Sequence, residues 1–556
     1  MYTGNKTLRD VLEDSALLYG SRTALSMIEG GGLTYDQLYY RARSLSGFLH
    51  ERGIHHGDRV ALLGENMPNW GVAFLAVAAM GAVAVPILPD FHPSDIARII
   101  RHAGAGALLI SRRLFGKIAE LAPGDPGTII LLDDLTVVDQ TDPNTSPESS
   151  NTKRLPALPA QDGPFPSSPS PDDLAAIVYT SGTTGYSKGV MLTHENFVSD
   201  ARGTLAIVDV NQEDRLLSIL PLPHTYECTL GFITPVMIGA SVYYMDKPPT
   251  AAILLPALEK IKPTIMLSVP LVIEKIYKGK VLPELTRNAL LKRLHSIPLS
   301  RSILHRIAGK KLLRIFGGRL RVFTIGGAPL APDVELFLRE ARFPYAIGYG
   351  LTETAPLVAG TPPGRTRFRS TGPALPGASL RIADPNPVTG EGEIQIKGPM
   401  VMKGYYRDPD RTREAFTDDG WLRTGDLGVL ERDGYLYIKG RSKNMILGPS
   451  GKNIYPEEIE SIINEFESVQ ESVVFAQGNR LVALVHLDYE RLQQFIHSIG
   501  ETDFRAKVNS ILTDLQKQIN SRVPLYARIH KIVEHEEPFQ KTPTQKIKRH
   551  LYVPAR

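Results

Sequence analysis

Residues 174–189 read LAAIVYTSGTTGYSKG, an apolar run followed by a loop of glycine, serine and threonine that contains one lysine. The apolar part, Leu174–Tyr179, is typical of a buried strand. The loop after it offers backbone N–H groups, hydroxyls and one cation, which are the groups that hold a polyphosphate. The order of its glycines and lysine differs from the Walker pattern, and a flexible polar turn would have the same composition. The stretch therefore predicts a strand that leads into a candidate phosphate loop.

Apolar, strand-like segments alternate with helix-length segments on both sides of this loop. Those before the loop are Asp58–Leu63, Ala82–Ile87, Ala107–Ile110 and Thr128–Leu132, and a second series consists of Leu174–Tyr179 itself, Ser241–Tyr244, Thr264–Ser268 and Arg321–Ile325. This alternation predicts two parallel sheets with helices on both faces. After about Pro373 the pattern changes to glycine-punctuated strands (GEIQIKG, GYLYIKG), which indicate a small barrel or sheet.

From about Lys443 a final unit of mixed strands and helices follows. We therefore expect an α/β protein with two domains. Residues 1–442 form a large N-terminal domain of two doubly wound α/β subdomains and a small β-barrel-like subdomain. Residues 443–556 form a small α+β C-terminal domain. Residues 140–173 are dominated by proline, serine and aspartate, so we expect an exposed mobile loop that buries no apolar side chain.

Composition excludes several classes of protein. The chain has 556 residues, 42% of them hydrophobic and 22% charged, which is typical of a globular enzyme. Its only cysteine, Cys228, excludes an internal disulfide and a multi-cysteine zinc site, and fits a reducing cytoplasm. No basic segment followed by an apolar core is visible at the N-terminus. Trp70–Leu88 lacks charges over 19 residues, but Gly81 and Pro86 interrupt it, so we expect a buried helix and strand instead of a membrane span.

Further motifs occur in a fixed order along the chain. They are Leu33–Tyr35, Met80–Pro89, Leu220–Glu227 (LPLPHTYE), Gly326–Leu330 (GGAPL), Tyr349–Thr354 (YGLTET), Gly392–Gly398, Trp421–Gly428 (WLRTGDLG), Gly440–Lys443 with Gly451–Glu458, Val523–Tyr526 and Pro543–Arg549 (PTQKIKR). Together with TSGTTGYSKG they resemble the adenylate-forming superfamily: acyl- and aryl-CoA synthetases, peptide-synthetase adenylation domains and firefly luciferase. Ser187 stands where the family usually has proline, and Gln545 where it has glycine. Neither departure removes a chemical group.

The resemblance implies an ATP site. The residues expected to bind ATP or AMP are Thr180, Ser181, Gly182, Thr183, Thr184, Gly185, Lys188, Gly327, Ala328, Pro329, Tyr349, Gly350, Asp426 and Arg441. The ring of Tyr349 would stack on adenine beside the wall at Gly327–Pro329, where a larger side chain would clash. Asp426, with Arg441, would hold the ribose hydroxyls, because a carboxylate accepts two hydrogen bonds.

The resemblance also implies the catalytic groups. Thr352 would contact the α-phosphate, and Glu353 with Thr184 would hold Mg²⁺. Lys546 would contact the reacting carboxylate and the α-phosphate, although its basic surroundings alone would indicate a solvated tail. His224 and Gly326 would line the acid pocket.

Two half-reactions are expected to share one mobile C-terminal domain. Lys443 would be its hinge, and Gly440 and Gly451 would border the channel for the coenzyme A thiol.

The LPLPHTYE motif, the long stretch between Tyr277 and Gly317, and the TPTQKIKR ending resemble long-chain fatty acyl-CoA synthetases. We therefore expect an ATP-dependent long-chain fatty acid–CoA ligase that releases pyrophosphate and then AMP. Another acid, or acyl carrier protein as acceptor, remains an alternative. A non-enzymatic fatty-acid carrier would not need the phosphate loop and Lys546 together, and the motifs of nicotinamide enzymes and serine hydrolases are missing. A luciferase-like oxygenase would share the first half-reaction.

The charge is unevenly distributed. The net charge of +4 is mild and does not indicate nucleic acid, but residues 285–332 contain ten Lys or Arg and no Asp or Glu. Its part Leu285–Arg321 could be a solvated basic helix, contact coenzyme A phosphates, or dock on an anionic membrane at the inner face. For the membrane alternative, the expected apolar face is Ile303, Leu304, Ile307, Leu312 and Ile315, flanked by Arg301, Arg306, Lys310, Lys311 and Arg314. A homodimer remains open.

Overall fold

A computed structural model describes residues 6–122, 125–138, 153–154, 164–180, 188–448, 453–478, 480–489, 492, 501–542 and 546–553. The side chains of residues 153–154 and 501–504 are not described. The fold is α/β, with a large N-terminal part built on mixed sheets and a smaller C-terminal unit, as the sequence predicts.

The first sheet has nine strands. In spatial order they are β19 (Gly404–Tyr405), β10 (Lys188–Thr193), β9 (Leu174–Thr180), β4 (Val83–Ile87), β3 (Arg59–Leu63), β5 (Ala105–Ile110), β6 (Thr128–Leu131), β7 (Thr136–Val138) and β8 (Lys153–Arg154). The five central strands β9, β4, β3, β5 and β6 run parallel, and the outer strands are antiparallel. The strands predicted from the apolar runs before the phosphate loop are confirmed, with bounds that differ by two residues at most. The grouping of Leu174–Tyr179 with the second series is wrong, because this strand, β9, pairs with β4 and belongs to the first sheet.

The second sheet has eight strands. In spatial order they are β16 (Leu357–Gly360), β15 (Tyr345–Gly350), β14 (Val322–Ile325), β13 (Ile265–Ser268), β11 (Arg215–Ser218), β12 (Ser241–Tyr244), β1 (Thr23–Met27) and β2 (Gly32–Thr34). The six strands from β15 to β1 are parallel. The carboxyl ends of parallel neighbours meet at one edge, where the open α/β sheets of enzymes bind their ligands.

The β-rich segment forms a four-stranded antiparallel sheet in the order β17 (Ser379–Ala383), β18 (Gly392–Lys397), β20 (Leu422–Leu430) and β21 (Leu436–Arg441). Within the described residues its edge strands β17 and β21 do not pair with each other. The expected barrel-like subdomain is therefore an open sheet.

The C-terminal unit has a core of its own. Its strands are β22 (Ile446–Leu447) paired with β23 (Asn453–Ile454), and β24 (Val469–Gln477), β25 (Arg480–Leu487) and β26 (Ile529–Glu534) in one sheet. Two helices, α14 (Pro456–Ile463) and α15 (Glu501–Arg522), contribute Ile459, Ile463 and Ile519 to this core.

The helices of the N-terminal part cover the two large sheets. They are α1 (Leu8–Tyr19), α2 (Tyr35–Glu51), α3 (Pro68–Ala79), α4 (Pro93–Ala103), α5 (His194–Ile207), α6 (Thr234–Met237), α7 (Ala251–Ile261), α8 (Pro270–Ile276), α9 (Leu282–Leu285), α10 (Ala289–Ser296), α11 (Pro298–Ile315), α12 (Pro332–Glu340) and α13 (Pro409–Ala415). Two π-helical turns, Tyr226–Ile233 and Tyr277–Val281, precede α6 and α9.

The uncharged stretch Trp70–Leu88 divides as predicted into a helix, α3, and a strand, β4. Trp70 and the eleven residues after it are buried in the protein core, which explains why α3 is apolar on every side. Gly81 lies between the two elements with a φ of +73°, a conformation that favours glycine. Among the described residues, no helix is both long and apolar enough to cross a membrane.

Two expectations about exposed segments are wrong in part. In the predicted loop 140–173, residues 140–152 and 155–163 lie outside the described residues. Phe165, however, is buried in the main core and packs edge-on against Tyr39. The end of that segment is therefore packed, because one aromatic side chain anchors it.

The apolar face expected on α11 is split. Leu312 is buried in a core cluster that contains residues of the second sheet and of helices α7 and α12, whereas Ile303 and Ile307 are exposed and Leu304 is half-buried. Ile303 and Leu312 are nine residues apart, which is half a revolution on a helix, so they cannot share one face.

Candidate active site

The site is built where neighbouring parallel strands end. Residue Val269 follows β13, Gly326 follows β14, and the short turn Thr352–Thr354 follows β15. The Gly326 backbone N–H donates to the Ser268 carbonyl (3.1 Å), which holds the first two ends together. The motifs GGAPL and YGLTET, distant from one another in sequence, are therefore neighbours at one edge of the sheet.

A buried carboxylate connects this edge to the antiparallel sheet. The Tyr349 hydroxyl donates to Asp426 Oδ2 (2.8 Å), and Arg441 Nε lies 2.9 Å from Asp426 Oδ1. Asp426 and Arg441 are cross-strand partners in β20 and β21, so the sheet register sets their distance. Burial raises the pKa of Asp426, and the positive charge of Arg441 opposes this effect. Three of the predicted ATP ligands thus form one connected group.

A second group surrounds Glu353. Its Oε1 accepts a hydrogen bond from the Tyr405 hydroxyl (2.9 Å), and the Lys188 ammonium lies 4.6 Å from the centre of the Tyr405 ring. Lys188 begins β10 and pairs with Thr180 at the end of β9. Burial lowers the pKa of Lys188, and Glu353 partly restores it. The two ends of the candidate phosphate loop are therefore fixed beside Glu353, while Ser181, Gly182, Thr183, Thr184 and Gly185 lie outside the described residues.

Lys546 reaches the same place from the C-terminal unit. Thr542 and Lys546 exchange hydrogen bonds, and Lys541 pairs with Ile547, so the backbone of Lys546 is held beside that of Thr542. Burial and the positive charge of Arg441 lower the pKa of its ammonium group, whereas Asp426 and Glu353 raise it. Its side chain nevertheless keeps solvent contact, as do those of Arg441 and His224. Side chains that line an open cleft lie deep in the protein and still contact solvent.

His224 faces Lys546 across this cleft. Its Nδ1 accepts the Tyr226 backbone N–H (3.2 Å), which leaves Nε2 as the position of the proton in the neutral ring. Burial, together with the charge of Lys546, lowers the pKa of His224 to about 4. His224 is therefore uncharged at neutral pH, consistent with substrate contact instead of proton transfer.

Tyr226 forms the wall beside Gly326. A Cβ atom at Gly326 would lie 3.3 Å from the Tyr226 ring, and the Tyr226 hydroxyl bonds Thr324 Oγ1 (2.7 Å). The sequence analysis did not identify Tyr226 or Tyr405 as site residues. Tyr226 lies within the quoted motif LPLPHTYE, and its position close to His224 in the sequence could have identified it. The sequence around Tyr405 contains no such signal, because only the fold brings Tyr405 to Glu353.

Glycine is required at two positions of the site for different reasons. A Cβ at Gly350 would lie 1.7 Å from the Pro356 carbonyl oxygen, so no side chain fits there. At Gly327 the nearest atom, Val269 Cγ1, would be 3.8 Å away, but φ is +85°. Glycine at 327 is therefore required by backbone conformation and not by space within the protein. Ala328 and Pro329 are exposed next to it, as a ligand-facing wall would be.

A buried polar network supports the loop that carries His224. The Ser218 hydroxyl donates to Glu227 Oε1 (2.5 Å), and Asn66 Nδ2 donates to Ser218 Oγ (2.9 Å) and to the Leu220 carbonyl (2.6 Å). Asn66 Oδ1 accepts the Leu222 N–H (2.9 Å). Burial raises the pKa of Glu227 to about 8. Asn66 and Glu227 thus hold the segment from Ser218 to Leu222, which leads to His224. The sequence analysis did not single out either residue.

The predicted hinge and channel residues are only partly described. Lys443 is exposed in the turn after β21, close enough to Lys188 for its charge to lower the Lys188 pKa. A Cβ at Gly440 would lie 3.0 Å from Tyr455 of the C-terminal unit. Gly451 lies outside the described residues. Lys188, Arg441, Lys443 and Lys546 thus bring four cations to a cleft that also holds Glu353 and Asp426, an arrangement suited to a polyphosphate.

Known proteins share this sequence and fold. A family model described as AMP-binding enzyme matches residues 12–406. Peroxisomal long chain acyl-CoA synthetase 7 of Arabidopsis thaliana is 29% identical over 581 residues, covering 93% of this chain and 79% of that protein. The 4-coumarate–CoA ligase 2 of Oryza sativa subsp. japonica is also 29% identical, covering 90% and 84%. The crystal structure of ATP-bound MatB from Rhodopseudomonas palustris matches with a TM-score of 0.74 at 26% identity, over 98% of both chains.

The family match covers more than half of the chain, and the named relatives are acyl-CoA synthetases and CoA ligases. ATP, AMP and coenzyme A are the ligands that go with such a protein. The chain belongs to the AMP-binding enzyme family, and it is an AMP-forming acid–CoA ligase.

Proposed function

We propose that this enzyme activates long-chain fatty acids as acyl-adenylates and transfers the acyl group to coenzyme A. The observation that carries the proposal is the meeting of Lys546 with Asp426, Glu353 and Arg441, with the neutral His224 close enough to Lys546 for that charge to lower its pKa. A fatty acid brings one carboxylate and no other charge. A site that brings one cation and an uncharged histidine together suits that substrate.

The first step joins two anions, so charge must be neutralised. A carboxylate oxygen of the acid attacks the α-phosphorus of ATP, and the bond to the β-phosphate oxygen breaks as pyrophosphate leaves. Lys546 would stabilise the charge that builds on the α-phosphate, and Lys188 that on the departing pyrophosphate. Thr352, at the end of β15, would contribute its hydroxyl to the α-phosphate. Asp426 and Tyr349 would hold the nucleoside.

The second step replaces AMP by a thiol. The sulfur of coenzyme A attacks the acyl carbonyl carbon, and the bond to the phosphate oxygen of AMP breaks. No residue of the chain forms a covalent bond to the acyl group in this scheme. Cys228 is buried, and burial and Glu227 raise the pKa of its thiol, so it is a poor nucleophile.

Magnesium would bind at Glu353. The described residues contain no group of three or more acidic, histidine or cysteine side chains that could hold a metal. This fits Mg²⁺, which is usually held by one or two carboxylates together with substrate phosphates. Glu353 Oε1 is engaged by Tyr405, and no hydrogen bond to Oε2 occurs in the described part of the chain. When bound, the ion would neutralise phosphate charge. Thr184, its other expected ligand, lies outside the described residues.

Two features support long-chain acids as the substrates. The relatives include long-chain acyl-CoA synthetases, although 4-coumarate–CoA ligases match at the same identity. The motif Leu220–Glu227 (LPLPHTYE), which contains His224, resembles the version found in long-chain fatty acyl-CoA synthetases. We place the enzyme in the cytoplasm, which suits a chain with a single buried cysteine.

The test is ATP–pyrophosphate exchange with a panel of acids: acetate, malonate, 4-coumarate, octanoate, palmitate and oleate. We expect the highest kcat/KM with palmitate or oleate. A maximum with 4-coumarate or malonate would contradict the long-chain assignment and keep the reaction class. Absence of exchange with every acid would contradict the reaction itself. Thioester formation with coenzyme A and with acyl carrier protein, compared at equal concentrations, identifies the acceptor.

A further inference from the structure

Exposed apolar side chains cluster on one small part of the surface. Of the seventeen large hydrophobic residues that the described chain exposes, six lie between residues 290 and 315. They are Leu290, Ile297, Leu299, Ile303, Ile307 and Ile315. Leu299 is 77% exposed and Leu290 is 66% exposed. Helix α10 buries none of its residues. Isolated exposed apolar residues are ordinary, but a cluster of this size marks an interaction surface.

Helical geometry aligns part of this cluster. Leu299, Ile303 and Ile307 are spaced four residues apart on α11, so they form one stripe. The same side of the helix continues into Lys310 and Arg314, which are also exposed. We call this stripe the outer face of α11. The opposite side, with His305, Gly309 and Leu312, is buried against the protein.

The charges around the stripe have one sign. Arg287, Lys292, Arg293, Arg306, Lys310, Arg314 and Arg319 are exposed, and none of them forms an ion pair within the described residues. By contrast, Arg301 pairs with Glu340 (2.8 Å) and Lys311 with Glu284 (3.1 Å). These seven cations have no ion-pair partner among the described residues and lie beside an apolar stripe. Such a combination is complementary to a surface that is anionic outside and apolar beneath.

We infer that α10 and the outer face of α11 dock the enzyme on an anionic phospholipid bilayer, with Leu299, Ile303 and Ile307 inserted at the level of the headgroups. Interfacial helices of this kind combine apolar burial with attraction of Lys and Arg to anionic lipids. The inference rests on the proposed function in one respect, since long-chain acids partition into bilayers.

The docking surface is part of the same segment as the wall of the cleft. Helix α8 begins at Pro270, directly after Val269, which is the nearest neighbour of a Cβ atom at Gly327. The chain then runs through α9 to α10 and α11 without returning to another sheet. An enzyme held by this segment would be attached to the bilayer through a stretch of chain that is continuous with the wall of the cleft.

The test uses full-length protein and sedimentation with vesicles of phosphatidylcholine alone, or of phosphatidylcholine and phosphatidylglycerol in equal amounts, without substrates. We expect binding to the anionic vesicles that weakens as salt is added. Leu299→Ser with Ile303→Ser and Ile307→Ser should weaken binding at least roughly tenfold. Arg306→Gln with Lys310→Gln and Arg314→Gln should weaken it roughly a hundredfold, because each cation near the surface contributes about 1 kcal/mol.

The matched control changes three exposed apolar residues elsewhere: Leu17→Ser, Leu18→Ser and Val388→Ser. It should bind vesicles like the unchanged protein. All variants alter exposed side chains and should keep their unfolding temperature and their pyrophosphate exchange with octanoate. Vesicle binding in the absence of substrate is independent of acid preference, so failure of docking and failure of the long-chain assignment are separate outcomes.

Three results would overturn the proposal. The first is equal vesicle binding by the unchanged protein and both α11 variants. The second is a concentration-dependent dimer in light scattering that the serine variant abolishes, which would make the face an interface between copies. The third is a raised KM for coenzyme A in the glutamine variant with unchanged vesicle binding, which would assign the cations to the nucleotide phosphates of coenzyme A.

Discussion

Asp426 combines two tasks that only a carboxylate can perform. It accepts from Tyr349 and pairs with Arg441, while it is expected to receive both ribose hydroxyls of ATP. An amide has a single acceptor oxygen and cannot pair with a guanidinium as an ion. Asp426→Asn should therefore lower kcat/KM for ATP by roughly 10- to 100-fold, the scale for lost hydrogen bonds to a charged group. Most of the change should be in KM.

The matched control for this substitution is Asp419→Asn. Asp419 also pairs with an arginine, Arg381 of β17 (2.7 Å), but it lies at an exposed position in the turn before β20. Exposed ion pairs contribute little, so ATP kinetics should be unchanged. Equal effects of the two substitutions on ATP kinetics would show that Asp426 acts only through the stability of the sheet.

Glu227 predicts a dependence of stability on pH. Burial raises its pKa in the folded protein to about 8, well above the value of a free glutamate. The folded state therefore binds more protons than the unfolded state between about pH 4.5 and pH 8, and the contribution of Glu227 to stability falls as pH rises through that window. Its second carboxylate oxygen has no hydrogen-bond partner among the residues that the structure describes. Glu227→Gln keeps the acceptor for Ser218 and does not ionise.

We expect Glu227→Gln to unfold at a higher temperature than the unchanged protein, with a difference that grows from pH 5 to pH 8. Thermal unfolding followed by circular dichroism at several pH values measures this. Glu414→Gln, at an exposed position of α13, is the control and should show no such trend. A difference that is constant with pH, or that shrinks as pH rises, would mean that Glu227 is ionised in the folded protein.

At the scale of elements, the turn after β15 depends on one glycine. A Cβ atom at Gly350 would come within 1.7 Å of the Pro356 carbonyl oxygen, which also accepts the Leu351 N–H. Gly350→Ala must separate these two backbone segments and displace Thr352 and Glu353. We expect the first half-reaction to fall at least roughly a hundredfold, as expected when positioned groups move by about an ångström.

The control for this turn is Gly116→Ala, where no atom lies within 4 Å of the added Cβ and the backbone conformation is ordinary. Its pyrophosphate exchange and unfolding temperature should match those of the unchanged protein. Normal exchange in Gly350→Ala would show that the turn can open without loss of catalysis, and that the position of Glu353 is not critical.

The elements themselves were largely predictable from local patterns. Buried strands such as β3, in which Val60–Leu63 follows Arg59, are mostly apolar runs, and such runs are typical of parallel sheets. The site was predictable as far as its motifs reach, because Tyr349 and Asp426 each lie in one. The contacts between motifs were not. Tyr405 meets Glu353 from a distance of 52 residues, and composition alone cannot indicate such a pair.

The split of the α11 face shows the same limit. Its apolar residues were grouped by composition, whereas rotation along the helix places Leu312 opposite Ile303. A helix that bears apolar residues all around has no preferred side until a neighbour covers one. Here Leu312 joins a core cluster that contains residues of helices α7 and α12 and of the second sheet, and this choice depends on the tertiary fold.

At the scale of the whole molecule, the arrangement described here brings Lys546 to the cleft. The position of the C-terminal unit is supported by contacts with the N-terminal part: Lys278 donates to the Asn464 carbonyl, and Tyr455 donates to Glu391 Oε2 (2.9 Å). Since Lys546 fills space next to Asp426 and Glu353, a thiol arm would need that space to be vacated. We therefore expect the C-terminal unit to turn about Lys443 between the two half-reactions.

This two-position hypothesis separates the effects of three substitutions. Lys546→Ala should slow pyrophosphate exchange by roughly 10²- to 10³-fold, the scale for one preorganised electrostatic group. Gly451→Leu should leave exchange near normal and block thioester formation, because its side chain would fill the channel. Lys443→Pro should restrict the hinge and also spare the first step. Single-turnover measurements of adenylate and thioester in the same samples give both rates. If Gly451→Leu, while still folded, lost both half-reactions equally, one position of the C-terminal unit would have to serve both steps.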